Sequence, residues 1–508
     1  MLISKEVKFV IGELKKKGFE AYIVGGCVRD FLRGVPPKDW DVATSARPGE
    51  IQKIFPKSFY ENRFLTVTVQ TSSSSFNEPS SPQRARVEDE NKVLIANVRE
   101  IEVTTFRSEA KYTDKRHPDE IKFAKTLEED LGRRDFTVNA IAMKISEKKS
   151  RGVEVIDPFG GKEDLKKKII RAVGSPEERF SEDALRMMRA IRFAATLNFK
   201  IEEETAEAIK NNSSSLRAIS QERVRDELMK IIMTERAMEG IELLRQLNLL
   251  KYIIPELEEG YGTSQNKHHI YECYEHYLRS FDYAVKNNFN KYVRLAALFH
   301  DIGKPRAKRG EGKDATFYGH EIIGARMTAQ ILGRLKFPKK EIEKIVRLVR
   351  YHLFYYNVGE VSESSVRRLV LKVGPEDMEE LLQLRMADRV GSGVPKAEPY
   401  KLRHLKYVIE KVAQDPISAK MLKTSGNDVM KILKIKPGPR IGQILDVLLG
   451  LVLQDPKKNK KEFLNKEIQK LGKLSAEELS SLVGRARKER EEITMKRDEM
   501  TKKKYWVT

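Results

Sequence analysis

Two groups of side chains in this 508-residue sequence have the types and spacing to do chemistry. The first is a glycine turn followed by paired acids: Gly25-Gly26-Cys27-Val28-Arg29-Asp30, then Asp39-Trp40-Asp41. Glycines between a strand and a helix let backbone N–H groups approach a phosphate closely. The helix N-terminus favours negative charge, and Arg29 adds a fork of donors. Asp39 and Asp41 stand two apart, so on a strand they share one face and repel each other unless a cation lies between them. Mg2+ is held in this way in phosphoryl-transfer sites, by one or two carboxylates together with substrate phosphates. Taken singly, the turn reads as an ordinary strand–helix connection and the acids as solvated loop residues. Within 17 residues of one another, the two point to a phosphate-and-metal site.

The second group is rich in histidine. Six of the eight histidines fall between residues 260 and 395: His268, His269, His276, His300, His320 and His352. Leu295-Ala-Ala-Leu-Phe-His-Asp-Ile-Gly-Lys304 sets His300 beside Asp301 after an apolar helix, and Asp388 follows in Met386-Ala-Asp-Arg389. Imidazoles and carboxylates on successive helices could surround one or two divalent metal ions. The alternative is a retained fold with structural histidines. Between the two groups, Arg134, Asp135 and Asn139 offer a cationic fork, an acceptor and an amide. A helix predicted to begin near Glu182 carries Ala184, Met188, Ile191 and Ala195 as one apolar stripe. On it Asp183, Arg186, Arg189 and Arg192 advance in steps of three and drift around the opposite half. Three arginines beside one acid balance charge poorly for a purely structural face.

The elements that must position these groups are of two kinds. Residues 1–145 read as mixed α/β: a helix from Lys5 to Lys17, then strands at Ala21–Val24, Leu65–Val69, Ile101–Phe106 and Val153–Ile156. A Ser-rich stretch from Thr71 to Pro82 cannot pack a core and reads as an exposed loop inside an insertion at about 70–92. From about Asp164 the pattern is almost wholly helical, and the Lys-rich part beyond 396 ends in Lys502-Lys-Lys-Lys-Tyr-Trp506. Length implies about three to five domains. The expected fold is α+β, with a head at 1–150, a helical neck at 151–259, a histidine-bearing body at 260–395 and a basic helical tail at 396–508. A net charge of +21, from 96 Lys+Arg against 75 Asp+Glu, favours a polyanionic partner, above all nucleic acid. Forty per cent hydrophobic residues rule out wholesale disorder, and two cysteines, Cys27 and Cys273, rule out a disulfide scaffold and read as packing residues. No apolar run approaches a membrane span; the longest, Val447 to Leu453, reads as a core segment. With no signal-peptide pattern at the start, the expected location is cytoplasmic.

Several blocks together resemble the class II tRNA nucleotidyltransferase/bacterial poly(A) polymerase family of the polymerase-beta superfamily. They are Val24-Gly-Gly-Cys-Val-Arg-Asp30, Pro37-Lys-Asp-Trp-Asp-Val-Ala-Thr44, Val103-Thr-Thr-Phe-Arg107, Tyr112-Thr-Asp-Lys-Arg-His-Pro118, Leu131-Gly-Arg-Arg-Asp-Phe-Thr-Val-Asn-Ala140, Asp157-Pro-Phe-Gly-Gly161 and the arginine helix. The resemblance departs at the Ser-rich insertion and at Leu65, where glycine is usual. It implies a polymerase-beta-like nucleotidyltransferase head. There Asp39 and Asp41 would be the catalytic Mg2+ ligands, with Glu102 as a candidate third carboxylate. Gly26, Arg29 and Arg134 would bind the nucleotide, Asp183 and Arg186 would select CTP and then ATP, and Arg189 and Arg192 would add further contacts. The histidine region resembles an HD phosphohydrolase domain, implying that His276, His300, Asp301, His320, His352 and Asp388 hold a second divalent metal. The implied activity is template-independent addition of CCA to the 3′ end of tRNA. Poly(A) synthesis is the near alternative, but Arg63-Phe64 runs into Thr-Val-Thr-Val rather than the longer basic signature of bacterial poly(A) polymerases. Addition of CC alone is a second alternative, disfavoured by the Tyr112–Pro118 loop associated with switching to ATP. A main activity of HD phosphohydrolysis is a third.

Overall fold

The computed structural model describes residues 3–61, 66–71, 99–110, 120–146, 152–266, 270–413, 419 and 422–507. Arg63, Phe64, Leu65, the Tyr112–Pro118 loop, His268, His269 and the Ser-rich stretch beyond Thr71 lie outside them. Contacts divide the chain into two compact units, residues 1–350 with 391–393, and residues 351–390 with 394–508.

The first unit opens with a helix, Lys5–Lys16, capped by the Ser4 hydroxyl and burying Val7, Val10, Ile11 and Leu14 along one face. That i, i+3, i+4, i+7 spacing is the reason it lies on a sheet. The sheet has seven strands: β1 (Ala21–Val24), β2 (Asp41–Thr44), β3 (Ser58–Glu61), β4 (Thr66–Thr71), β5 (Arg99–Thr105), β6 (Ala142–Ile145) and β7 (Val153–Ile156). Their order is β3-β4-β5-β2-β1-β6-β7. Only β2 and β5 pair in parallel; the other neighbours are antiparallel. Alternation along β4 is clean, with Val67 and Val69 buried in the core beneath the first helix and Thr66 and Thr68 on the other face. Val42 and Val103 join the same core, so their neighbours Asp41, Glu102 and Thr104 face away from it.

Helices follow, interrupted by a two-residue parallel pair, Ile169–Ile170 with Lys200–Ile201, and by an isolated antiparallel bridge between Arg309 and Thr316. Leu185–Leu197 packs on Gln221–Ile232 and Ala237–Gln246. The Ala184, Met188, Ile191 and Ala195 stripe is buried throughout. The predicted helix start near Glu182 is displaced, however. One helix, Pro176–Glu182, ends there, Asp183 is extended at its C-terminal boundary, and the next begins at Leu185. Cys27 and Cys273 are buried and unbridged, as packing residues should be. Burial, as the largest influence, pushes both thiols up to about 12. In the second unit the Val447–Leu453 run lies within the helix Pro439–Gln454 and supplies Val447, Leu448, Leu449 and Val452 to that unit's core. No helix among the described residues is long and apolar enough to cross a membrane.

Candidate functional site

Strand register builds the head site. Val24 pairs with Asp41, Asp41 with Glu102, and Glu102 with Thr68, so these four residues form one row across the sheet. They line a cleft of about 440 Å³ together with Thr66, Thr104, Arg107, Arg133 and Arg134. Asp39 departs from the expected strand geometry. It sits in an exposed bend ahead of β2, because the strand starts only at Asp41. The two aspartates nevertheless interact: burial first, then Glu102, and lastly Asp39 push the Asp41 carboxyl up to about 6, against the pull of Arg134. Crowded carboxylates with only partial compensation are the electrostatic signature of a cation site, and hard oxygen donors suit Mg2+.

Gly25 is the glycine this geometry requires. Its φ is +81°, and a Cβ would lie 2.9 Å from Arg134 Nη1 and 3.3 Å from Asp41 Oδ2. The turn therefore brings backbone between the cation and the acid. Gly26, the expected nucleotide-binding glycine, starts the helix Gly26–Leu32, and a Cβ there would meet only the Arg29 guanidinium, at 3.6 Å. Arg29 is committed within the protein. Its Nε and Nη2 donate to both oxygens of Asp30 at 2.9 Å, and its Nη1 donates to Asn139 Oδ1 at 2.8 Å. Arg133 and Arg134 both bond Asp130, whose carboxyl burial alone would raise, but which the two guanidiniums hold below the ordinary range.

Above the cleft the arginines are balanced by acids from elsewhere in the chain, a correction to the poor balance read from sequence. Arg186 donates to Glu182 Oε2 and, at 3.2 Å, to the Arg133 carbonyl. Arg189 bonds buried Asp135 at 2.8 Å, and Arg192 bonds buried Glu227 at 2.7 Å. Asp183, off the helix, accepts from the Leu185 N–H at 3.0 Å and from Arg223 at 2.9 Å. Phe193 underlies three guanidiniums: Arg29 and Arg189 at 5.5 Å and Arg192 at 4.1 Å from its ring centre. Sequence reading passed over Phe193, although its spacing of four from Arg189 and one from Arg192 was visible. It also passed over Thr66, Thr68 and Arg133, which only the strand register and the fold bring to the cleft.

The first unit also gathers His276, His300, Asp301 and His320, all buried. His276 Nε2 lies 2.9 Å from His300 Nε2 and 3.0 Å from Asp301 Oδ2, and His320 Nε2 lies 3.1 Å from Asp301 Oδ1. His300 Nδ1 faces the Ala297 carbonyl at 2.8 Å, and His320 Nδ1 faces the Phe317 carbonyl at 2.7 Å. Donation there leaves each Nε2 as the lone-pair nitrogen, the tautomer a metal-ligating imidazole needs. Convergent imidazoles and a carboxylate fit a divalent transition metal. Gly303 makes the turn: a Cβ would lie 2.3 Å from the His320 carbonyl oxygen, so only glycine lets the His300-Asp301 turn pack on the helix His320–Arg334. Lys304, also unassigned from sequence, is buried with its ammonium 2.6 Å from Asp301 Oδ2 and 2.6 Å from Gln265 Oε1. His352 and Asp388 belong to the second unit; both are buried, and Asp388 Oδ2 accepts from Arg385 at 2.7 Å.

A mixed sheet carrying an acid row beside a glycine turn, followed by an arginine-bearing helix and a histidine–aspartate cluster, defines a polymerase-beta-type nucleotidyltransferase joined to an HD domain. Comparison with known proteins agrees. Residues 21–171 match the family described as "Poly A polymerase head domain", 198–260 match "Probable RNA and SrmB- binding site of polymerase A", and 273–391 match "HD domain". The chain is 32% identical to an A-adding tRNA nucleotidyltransferase of Deinococcus radiodurans over 84% of its own length and 90% of that protein. It is 32% identical to a CCA-adding enzyme of Enterococcus faecalis over 91% and 94% of the two chains. Its fold superposes with a TM-score of 0.56 and 26% identity on the Bacillus stearothermophilus CCA-adding enzyme in complex with CTP, covering 92% of this chain and 98% of that one. The chain belongs to the tRNA nucleotidyltransferase/poly(A) polymerase family, whose chemistry depends on divalent metal.

Proposed function

We propose that this protein is a cytoplasmic tRNA nucleotidyltransferase that adds CCA to tRNA 3′ ends from CTP and ATP. The observation that carries the reading is the register of Asp41 against Glu102 in a cleft whose other wall is Arg107, Arg133 and Arg134. In this reading Asp39 and Asp41, with Glu102, hold Mg2+, which when bound lowers the pKa of the RNA 3′-hydroxyl and neutralises the leaving pyrophosphate. Arg134 and its neighbours bind the triphosphate beside the Gly25-Gly26 turn. Asp183 and Arg186 offer an acceptor and a donor fork to the base edge, and Asp135 and Glu227 fix Arg189 and Arg192 so that selectivity costs no rearrangement at the moment of binding. The domain division follows the same logic: head 1–150, neck 151–259, HD body 260–395 and basic tail 396–508, the last taking RNA phosphates. In the HD body His276, His300, Asp301 and His320 hold a second metal.

Addition of A alone is the second reading, because the Deinococcus relative carries that name. One assay separates them. tRNA lacking its end, and tRNA ending in CC, are incubated with CTP and ATP separately and together, and the products are sequenced. Ordered C, C, A followed by arrest is the expected result. A single A on the CC-ended substrate with no use of CTP means the second reading. An open-ended A tail from ATP alone overturns both, and normal incorporation by Asp39→Ala overturns the assignment of the acids.

A further inference from the structure

The second unit contains a small cationic cavity that none of the motifs account for. Its volume is about 90 Å³, and its lining includes Arg385, Arg389, Lys401, Phe354 and Tyr356 above buried Leu402 and Leu405. That is room enough for a tetrahedral oxyanion. Three cations and no acid line it. Arg385 is held from behind: its Nη1 bonds Asp388 at 2.7 Å and its guanidinium lies over the Phe354 ring at 5.7 Å. Arg389 is less well served. Its Nε is buried with no hydrogen-bond partner, and its Nη2 reaches only the Lys396 carbonyl, at 3.5 Å. A buried guanidinium donor without an acceptor, beside a second guanidinium, is costly unless an anion supplies both the acceptor and the charge. Arginine forks match phosphate oxygens in geometry as well as sign.

We infer that this cavity is a phosphate-binding subsite, in which Arg389 and Arg385 grip one phosphate group and Lys401 closes the rim. The phosphate belongs either to the RNA backbone, which rests on the tRNA reading above, or to a small free phosphate compound, which does not.

The test uses the full-length protein and two probes. In equilibrium dialysis with radiolabelled orthophosphate, Arg389→Gln lacks one phosphate bound per chain by the wild type, and Lys401→Gln, at the exposed rim, binds it more weakly. Subtracting the variant from the wild type removes phosphate held in the nucleotide cleft. In the second arm, tRNA affinity is measured against salt. If the phosphate is the RNA's, Arg389→Gln weakens binding uniformly across tRNA sequences and reduces the salt slope by about 1. If orthophosphate binding falls while tRNA affinity and slope are unchanged, the ligand is a free phosphate compound and the subsite stands without RNA. Equal orthophosphate binding by the wild type and both variants, with unchanged tRNA affinity, overturns the inference. If Arg389→Gln fails to fold, Lys401→Gln carries the same comparison.

Discussion

Replacing Asp41 by asparagine should stabilise the metal-free protein while crippling its chemistry. Burial, Glu102 and Asp39 raise the Asp41 carboxyl from an ordinary value of 3.8 to about 6. Below 3.8 both the folded and the unfolded chain hold the proton, and the group contributes nothing to the pH dependence. Between 3.8 and about 6 the unfolded chain releases its proton first, so stability falls as pH rises; above about 6 the cost is complete. A rise of about two units corresponds to about 3 kcal/mol, an upper limit on what the charge costs at pH 7.5. For a head of this size that is about 6–12 °C in its unfolding midpoint. Asp41→Asn removes the charge and keeps the shape. In EDTA at pH 7.5 the variant should unfold at higher temperature than the wild type; at pH 5 the gain should shrink to about half, because folding there still takes up a proton the unfolded chain has released, and below 3.8 it should vanish. Added Mg2+ should narrow the gap, since the cation favours only the charged form. Nucleotide incorporation should fall about 100- to 1000-fold, the usual scale for losing one preorganised electrostatic contact. A variant no more stable than the wild type in EDTA at pH 7.5, or equally stabilised at both pH values, would refute the crowded-carboxylate reasoning.

Three further outcomes are expected. Gly161→Ala places a Cβ 2.1 Å from the Thr137 carbonyl oxygen, so the backbone must shift; stability should drop by about 3 kcal/mol in denaturant unfolding, and a neutral result would mean this packing is slack. Phe193→Leu removes the ring beneath Arg29, Arg189 and Arg192, each contact worth about 0.5–2 kcal/mol. KM for CTP and ATP should rise about tenfold more than kcat falls, with Phe193→Tyr near wild type; equal loss in both variants would reduce Phe193 to packing. His300→Ala should lose the divalent ion that the wild type carries through gel filtration, read by elemental analysis, and metal retained by the variant would count against the histidine cluster as its ligand set.

Local pattern accounts for much of the head. Ala21–Val24 and Val153–Ile156 form strands with the bounds their sequence suggests, and Lys5–Lys16 is a helix because its apolar spacing and Ser4 cap require one. Short strands without strong alternation, such as Ser58–Glu61 and Ala142–Ile145, were not legible, since four residues carry too little pattern to separate a strand from a loop; each is held in a hairpin with the next strand, and Ala142–Ile145 also by β1 from far along the chain. Asp39 misled for a related reason: spacing of two implies one face only where both residues lie on the strand, and the hydrogen-bonded ladder begins at Asp41.

The same division runs through the chemistry. Residue types and order alone determined which groups were candidates for chemistry: paired acids after a glycine turn, an arginine helix, a histidine–aspartate pair and an excess of positive charge. Tertiary structure decided what each group faces. Glu102 became part of the acid row only because β5 lies parallel and in register with β2. The arginines proved balanced because Glu182, Asp135 and Glu227 reach them from other elements. Electrostatic energy depends on distance and burial, which spacing along a chain fixes only within a single helix or strand. Partners brought together by folding are set by the packing of whole elements, and so the charges of Arg189 and Arg192 found their acids about 50 and 35 residues away.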